Sequence, residues 1–359
     1  MMNFTRRDIL KAGCGFALTS LGSVTAYAQK PAQKPDPYAD GILIDGAPPL
    51  PQEGSFTVVV LPDTQHYSEK FPETYLAQTK WIVEQKQARH IASVLHLGDI
   101  TNHSTRPEWE AAQKAMRQLD GHVPYFMVPG NHDYSENGRA TDRTSLLSEY
   151  FPVAHYQDLP TFGGVYDKEP NRMENSFHRF SAGGRKFLVL GLEFGPRRDV
   201  VRWANEVVGK HRDHEVILIT HAYMYYDDTR YDWKVYGNQQ RWNPHAYGVA
   251  KATDDDVMDG TELWENLISR HENFILTLNG HVLGDGLGRL ASQTPAGRDV
   301  HQILVNFQMR PRGGDGWLRL LEFRKDGGIV QSYDYSPVLN KRNESAQNQF
   351  EITVSPLIS

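Results

Sequence analysis

Five short apolar runs in this sequence finish on side chains that bind cations. "FTVVVL" runs into "PDTQH", "SVLHL" into "GDITNH", "PYFMV" into "PGNHDY", "EVILIT" into "HAY" and "FILTL" into "NGH". A strand built for burial has no use for a carboxylate, carboxamide or imidazole at its end unless that end faces something polar. In open α/β sheets the carboxyl ends of strands form the edge where ligands bind, so Asp63, Asp99, Asn131, His221 and His281 can converge at a single rim although they are far apart in the chain. Each alone reads as a helix cap, an Asx-turn or a hydrogen-bonded surface residue. Together they form a mixed oxygen and nitrogen set that suits zinc, manganese or iron, whereas an all-oxygen set would point to magnesium or calcium.

Two such cations, held about 3.5 to 4 Å apart, repel each other and require an anionic bridge. Asp99, in the central loop, is the candidate. A water shared by two cations has its pKa lowered from about 15.7 toward 7, which supplies a nucleophile without an activated side chain. The sequence holds neither a serine-nucleophile elbow nor a Walker loop, and "GDGLGRL" has no helix-like segment after it to make a phosphate cradle.

The elements that must position these residues are short apolar runs of strand length, the five above together with "FLVLGL", separated by helix-like segments. "PETYLAQTKWIVEQKQA" sets Tyr75, Leu76, Trp81, Ile82 and Val83 at helical intervals, and "RPEWEAAQKAMRQLD" puts Trp109, Ala112, Met116 and Leu119 on one stripe. This alternation predicts an α/β domain with a largely buried sheet. Beyond "NGH" the runs "VHQILVNFQ", "GWLRLLEFRKDGGIVQSYDY" and "QFEITV" read as strands joined by tight turns, and predict a second sheet packed on the first.

The first residues follow another logic. "FTRRDILKAGCGFALTSLGSVTAYAQK" has a basic start, an apolar middle and a small-residue finish at Ala26 and Ala28, the pattern of an export signal. Arg6 and Arg7 with Ile9, Leu10 and Lys11 resemble the twin-arginine class, which implies passage through the twin-arginine machinery to the periplasm or beyond. The apolar stretch falls short of the roughly 20 residues of a bilayer span, so no stable membrane anchor is expected. Cys14, the single cysteine, lies inside this segment, so the mature chain carries no disulfide and no thiol catalyst. Cleavage after Ala28 takes the formal charge from −6 to −8, which argues against a nucleic-acid polymer as partner. The expected organisation is a signal peptide over 1–28, a linker rich in Pro and Gly over 29–54, one domain over 55–336 and a tail over 337–359 that adds one strand.

"PDTQ", "GDITN", "GNHD", "THA" and "NGH" resemble, in order, the five motifs of the calcineurin-like metallophosphoesterases, from about Val58 to His281. The resemblance implies two packed mixed β-sheets flanked by helices, an α/β/β/α sandwich, hydrolysis of a small phosphate monoester or diester by a metal-bound hydroxide, and a pair of divalent metals. Carried over residue by residue, it makes Asp63 a ligand of the first metal, Asp99 the bridge, and Asn131, His221 and His281 ligands of the second. His132 would stand by the leaving oxygen, and Asp133 would hold that imidazole in its useful tautomer.

This sequence departs from the family pattern twice, both times at the first metal. Where the family has Asp-x-His, Gln65 stands in the third position and the imidazole comes one residue later at His66. Gln65 shares the side of Asp63 in a strand-like exit, so its amide is the expected ligand. The family's second histidine of the last motif is replaced by Leu283. A weaker, more oxygen-rich first site is expected, filled by manganese or calcium; a replacement ligand such as Asp285, His66 or His301, or a single-metal enzyme, are the other outcomes.

The stretch from Tyr223 to Asp259 is rich in Tyr and Trp and lacks periodicity, and a loop this long in a compact domain is functional or disordered. Its aromatic content favours an ordered wall over the metals, with Tyr223, Tyr225, Trp233 and Trp242 available to stack on a substrate and Arg230 and Arg241 to clamp a phosphate. A satellite apolar cluster is the alternative. For the whole chain, the rival function is a non-catalytic metal- or phospholigand-binding protein of the cell envelope whose first metal site has degraded.

Overall fold

The chain is described by a computed structural model that covers Tyr38, Ala39, residues 41–355 and Leu357. The expected export signal with Arg6 and Arg7, and Cys14, lie outside the described residues. Two mixed sheets stack face to face. The first has the order β1 (Leu43–Asp45), β14 (Lys341–Asn343), β13 (Ile329–Ser336), β12 (Leu318–Phe323), β2 (Phe56–Leu61), β3 (Ile91–His96), β4 (Tyr125–Met127), with β15 (Phe350–Thr353) also on β13. The second runs β10 (Leu287–Gln293), β11 (Asp299–Val305), β9 (Phe274–Asn279), β8 (Glu215–Thr220), β7 (Arg185–Leu192), β6 (Ser176–Ala182), β5 (Phe162–Val165).

The first sheet is parallel at one end, finishing on β4 as edge strand, and antiparallel from β2 through β12 to β1, whereas the second has a parallel centre with antiparallel pairs at both margins. β2, β3 and β4 are mutually parallel in one, and β7, β8, β9 and β11 in the other. Parallel strands need both faces covered, which is why β2 is buried at every residue and reads as a continuous apolar run. Val58 and Val60 meet Ile217, Ile219, Ile275 and Leu278 between the sheets. Val59 and Leu61 point the other way, toward Tyr75, Ile82, Trp109, Ala112 and Met116 of the helices Pro72–Gln85 and Arg106–Met116. On the far side, Leu188, Leu190, Val216 and Leu218 pack on Val200, Val201, Ala204, Val207 and Val208 of the helix Arg198–Lys210. The result is a helix, sheet, sheet, helix sandwich with apolar contact at all three layer boundaries.

The structure corrects two expectations. The strands beyond "NGH" do not form a sheet of their own: β10 and β11 extend the sheet of β7–β9, whereas β12–β15 extend that of β2–β4. The five motif strands are therefore divided, with β2, β3 and β4 in one sheet and β8 and β9 in the other. Strand length and alternation reveal that a segment is a strand, but partner choice is made by contacts distant in sequence. The stretch over 29–54 is not wholly a linker either, because Leu43–Asp45 pairs antiparallel with β14.

Residues 337–355 fold back on β12 and β13 beside a buried ion pair. Arg319 Nε and Nη2 donate to the two oxygens of Asp334 at 2.7 Å each, and Asn348 Nδ2 donates to Asp334 Oδ2 at 2.7 Å. Both charged side chains are shielded from solvent, at 1% and 0% exposure. Arg319 pairs with Val60 across the β12–β2 ladder, so this pair is anchored beside the strand that carries Asp63. Removing one partner of a buried pair leaves the other charge uncompensated. Arg319→Ala is expected to lower stability by about 3–5 kcal/mol in urea denaturation, and Arg319→Met with Asp334→Leu to recover most of the loss. A loss under about 1 kcal/mol in the single variant would contradict a shielded pair.

Candidate metal centre

The carboxyl ends of the parallel strands of both sheets meet at one edge. β2 delivers Asp63, β3 Asp99, β4 Asn131, β8 His221 and β9 His281, all of them buried. The ligand atoms of Asp99, His221 and His281 lie within 4.8 Å of one another. Asp63 joins them through the His281 N–H, which donates to its carboxylate at 3.0 and 3.2 Å.

A glycine precedes three of these residues, and each is there for space. A Cβ on Gly280 would lie 2.0 Å from Asp63 Oδ1, one on Gly130 2.2 Å from Asp99 Oδ1, and one on Gly98 2.7 Å from His221 Nδ1. Asp99 and His281 themselves hold φ of 47° and 76°, the left-handed region that non-glycine residues avoid. Such conformations cost about 1–3 kcal/mol each and persist where the surroundings impose them, which concentrates them at functional sites.

Backbone carbonyls orient the imidazoles. His221 Nδ1–H donates to the Leu97 carbonyl at 2.8 Å, His281 Nε2–H to the Trp242 carbonyl at 2.8 Å, and His132 Nδ1–H to the Asn102 carbonyl at 2.7 Å. A carbonyl only accepts, so each bond assigns one ring proton and leaves the other ring nitrogen to face a cation or a reacting oxygen. His221 Nε2 stands 3.1 Å from Asp99 Oδ1 without a hydrogen bond to it, the relation of two ligands of one ion.

Asp133 does not hold His132. Its carboxylate accepts from the N–H groups of Gly130, Ile100 and Thr101 and from the Thr101 hydroxyl, at 2.8 to 3.0 Å, and so ties the "GNHD" loop to the "GDIT" loop. The role expected of it falls to the Asn102 carbonyl, a backbone group invisible to side-chain reasoning. Gln65 is buried, although not through strand alternation: the helix Gln65–Lys70 begins at that residue. Its Nε2 donates to Asn102 Oδ1 at 3.1 Å, and its Oε1 has no protein partner. His66 lies half-buried at 3.4 Å from Glu69. Asp285 accepts from the Leu287 N–H, and His301 donates to the Thr353 carbonyl, so both alternative ligands are spent elsewhere.

Sequence reasoning missed Asn306, whose Nδ2 donates to Asp63 Oδ2 at 2.9 Å from the end of β11. The signal was present, since "QILV" is one more apolar run ending on a ligand-type residue. The expected substrate clamp is not assembled at Arg230. Its Nε and Nη2 donate to Gln302 and Ser292 at 2.6 Å, and its guanidinium lies over the Trp264 ring. Tyr223, Tyr225 and Tyr231 belong to the apolar core, Trp233 stacks on His245, and exposed Arg241 covers Trp242. The insert is thus a packed wall, tied to β9, β10 and β11 and to the core as well as to itself.

Electrostatics favour a cation. Asp63, Asp99 and Asp133 are fully buried neighbours. Burial pushes Asp63 up to about 7, with the Asp99 charge adding to it and His221 opposing. Burial and then Asp99 push Asp133 up to about 6 against its three N–H donors. Burial would also raise Asp99, but the facing His221 overrides it and holds that carboxyl well below its usual range. Burial and the charge of His221 lower His281 to about 3. Gathered carboxylates, a neutral imidazole with an open Nδ1, and the unpartnered Oδ1 of buried Asn131 are what a divalent ion would complete.

Residues 56–285 match the model of the Calcineurin-like phosphoesterase family. This chain belongs to that family. Among its relatives is an uncharacterized protein, YvnB, of Bacillus subtilis, 28% identical over 309 residues that make up 84% of this chain and 21% of the relative. A second, named "Probable glycerophosphodiester phosphodiesterase GpdQ", from Arcobacter nitrofigilis, is 22% identical over 53% of this chain and 55% of its own length. The purple acid phosphatase PPD1 of yellow lupin superposes with a TM-score of 0.48 at 12% identity, over 86% of this chain and 55% of that one. The chain thus spans about a fifth and about half of the two curated relatives. The family agrees with the sandwich described above and implies divalent metals.

Gly280→Ala tests the packing around Asp63. The added methyl cannot coexist with Oδ1, so the carboxylate must move while the core stays intact. Calorimetric titration with manganese is expected to show affinity reduced about tenfold or more, in an ion-free protein that still unfolds in one cooperative transition at a modestly lower melting temperature. Unchanged affinity would mean that Asp63 does not contact the ion.

Proposed function

We propose that this chain is an exported, metal-dependent phosphoester hydrolase acting on a small substrate. The observation that carries the reading is the convergence of Asp63, Asp99, Asn131, His221 and His281 at one buried edge, with the ligand atoms of Asp99, His221 and His281 clustered and the Asn131 oxygen unpartnered. Asp99 would be the carboxylate shared by two ions. Asn131, His221 Nε2 and His281 Nδ1 would hold one of them. Asp63 and Gln65 Oε1 would hold the other, where two imidazoles of the family pattern are missing. Divalent cations at such a centre supply Lewis acidity and bring the pKa of water near neutrality.

The chain's own residues do the rest. Asn306 and the His281 N–H fix the Asp63 carboxylate, and the Asp99 carboxylate accepts the His132 N–H at 2.9 Å, tying the "GNHD" loop to the shared ligand. His132 keeps Nδ1–H on the Asn102 carbonyl, so Nε2 is the ring atom that meets a departing oxygen. Phosphoryl transfer draws most of its rate from positioning and charge neutralisation, and an ordered loop of this kind provides the first. The first position, rich in carboxylate and carboxamide oxygen, takes a harder and more easily exchanged ion than the second. The glycerophosphodiester relative makes diesters as worthwhile to test as monoesters. Export rests on the arginine pair and small-residue finish of the first 28 residues. Among the described residues, no helix is long and apolar enough to cross a membrane.

Metal-loaded protein is expected to hydrolyse p-nitrophenyl phosphate or its bis-ester. His132→Asn is expected to lower kcat by about 10²–10⁴ with the bound-metal content unchanged. Stoichiometric metal with no turnover of monoester, diester or glycerophosphodiester would replace the hydrolase with the binding protein. Metal analysis is expected to show one ion that survives desalting and one that does not; two equally retained ions would refute the weak first position.

A further inference from the structure

The insert between β8 and β9 reaches the metal centre through its backbone. The acceptor of His281 Nε2–H is the carbonyl of Trp242, a residue held at φ 66°. A left-handed backbone at a tryptophan must be imposed by neighbours. Asn243, fully buried, donates from Nδ2 to Asp259 Oδ2 at 3.1 Å, and its Oδ1 accepts from the His245 N–H at 3.1 Å. Asp259 caps the helix Gly260–Asn266 by accepting the Glu262 N–H at 3.1 Å, and Glu262 Oε2 accepts the Asp259 N–H in return at 3.0 Å. Tyr231 adds a hydrogen bond to the Arg241 carbonyl at 2.9 Å.

His245 closes this chain of contacts. Its Nδ1 lies 2.6 Å from Asp255 Oδ1 and its Nε2 2.8 Å from Glu262 Oε2, while Trp233 stacks on the ring at 6.0 Å with an 18° tilt. Carboxylates accept but do not donate, so a ring held between two of them carries both protons and a positive charge. The group His245, Asp259 and Glu262 also has the spacing of a cation site. Both ring nitrogens and both Asp259 oxygens are already engaged, however, which makes it an ionic clasp rather than a ligand set.

We propose that the insert is a positioning element of the metal centre: the His245 clasp holds the Trp242 carbonyl, and that carbonyl keeps Nδ1 of His281 turned to the ion. This rests on the reading of His281 as a metal ligand and adds a control on it from a segment that touches no ion. Partners that orient a ligating imidazole typically carry 10–100-fold in affinity. The charged groups around the clasp are Asp255, Glu262 and Asp259, with Asp256 and Arg198 beside them, Arg198 donating to the Asp255 carbonyl. Burial would lower His245, but Glu262 and Asp255 override it and raise the imidazole to about 9. A group raised in the folded state contributes fully below its unfolded pKa of about 6.5, and the contribution is lost as pH rises through about 9. Metal release should therefore quicken toward pH 9.5, opposite to the slowing that follows when ligands lose competing protons.

The test is the rate at which EDTA strips manganese from the loaded full-length protein. His245→Gln and Asn243→Ala are expected to release the tightly held ion about tenfold faster at pH 7, with Val235→Ala, an exposed position on the same insert, unchanged. Wild-type release is expected to accelerate between pH 7 and 9.5, and His245→Gln release to stay flat. Should either core variant fold poorly, Asp255→Asn keeps the Glu262 contact and is expected to show a smaller acceleration of the same sign. Folded variants that release the ion at the wild-type rate, or a wild-type rate that falls toward pH 9.5, overturn the inference and leave the metal centre standing. A wild-type protein that takes up no divalent ion at all removes both.

Discussion

Three carboxylates buried in one neighbourhood are the constraint on which the rest of this structure depends. Asp63, Asp99 and Asp133 are removed from water at the joined edge of two sheets, and unlike-charge neighbours among the side chains are too few to balance them. Charge in a low-dielectric interior must be paired, hydrogen-bonded or neutralised by protonation. Asp133 is covered by three N–H groups and a hydroxyl, and Asp63 by the His281 N–H and Asn306. Asp99 has the His132 N–H and the approach of His221, which leaves capacity for a divalent ion. The metal centre is therefore a place where the fold gathers negative charge and leaves its compensation to a cation.

Holding such a site demands a rigid frame, and the sandwich provides one. Apolar contact on both faces of β2 fixes the strand from which Asp63 emerges, and the corresponding layers fix β8. The glycines at 130 and 280 let backbone and carboxylate approach to distances that a Cβ would forbid, and Gly98 does the same for the His221 ring and the Gly130 backbone. The left-handed conformations of Asp99 and His281 show where that compression is stored. Positioning thus comes from strand ends and tight turns together, not from flexible side chains reaching in.

The insert between β8 and β9 illustrates how chemistry and packing can be confused in a sequence. Its aromatic and cationic residues have the composition of a substrate wall, yet Arg230 is spent on Gln302, Ser292 and Trp264, and Tyr223 and Tyr231 fill core space. What the insert sends to the centre is a peptide carbonyl. Composition records side chains, and the group that matters here has none.

The sequence by itself determined which residues would stand at strand ends, because burial on both faces writes an uninterrupted apolar run and a ligand-type residue breaks it visibly. It likewise determined the helices packed outside β2 and β3, and it put Gln65 and Leu283 where the family pattern has histidines. Tertiary structure alone decided that the motif strands divide between two sheets, because hydrogen-bonded pairing is chosen by contacts between residues far apart in the chain. It alone put Asn306 on Asp63, Asn102 on His132 and Trp242 on His281, since the last two are backbone carbonyls, identical in every residue, whose direction exists only once the chain is folded.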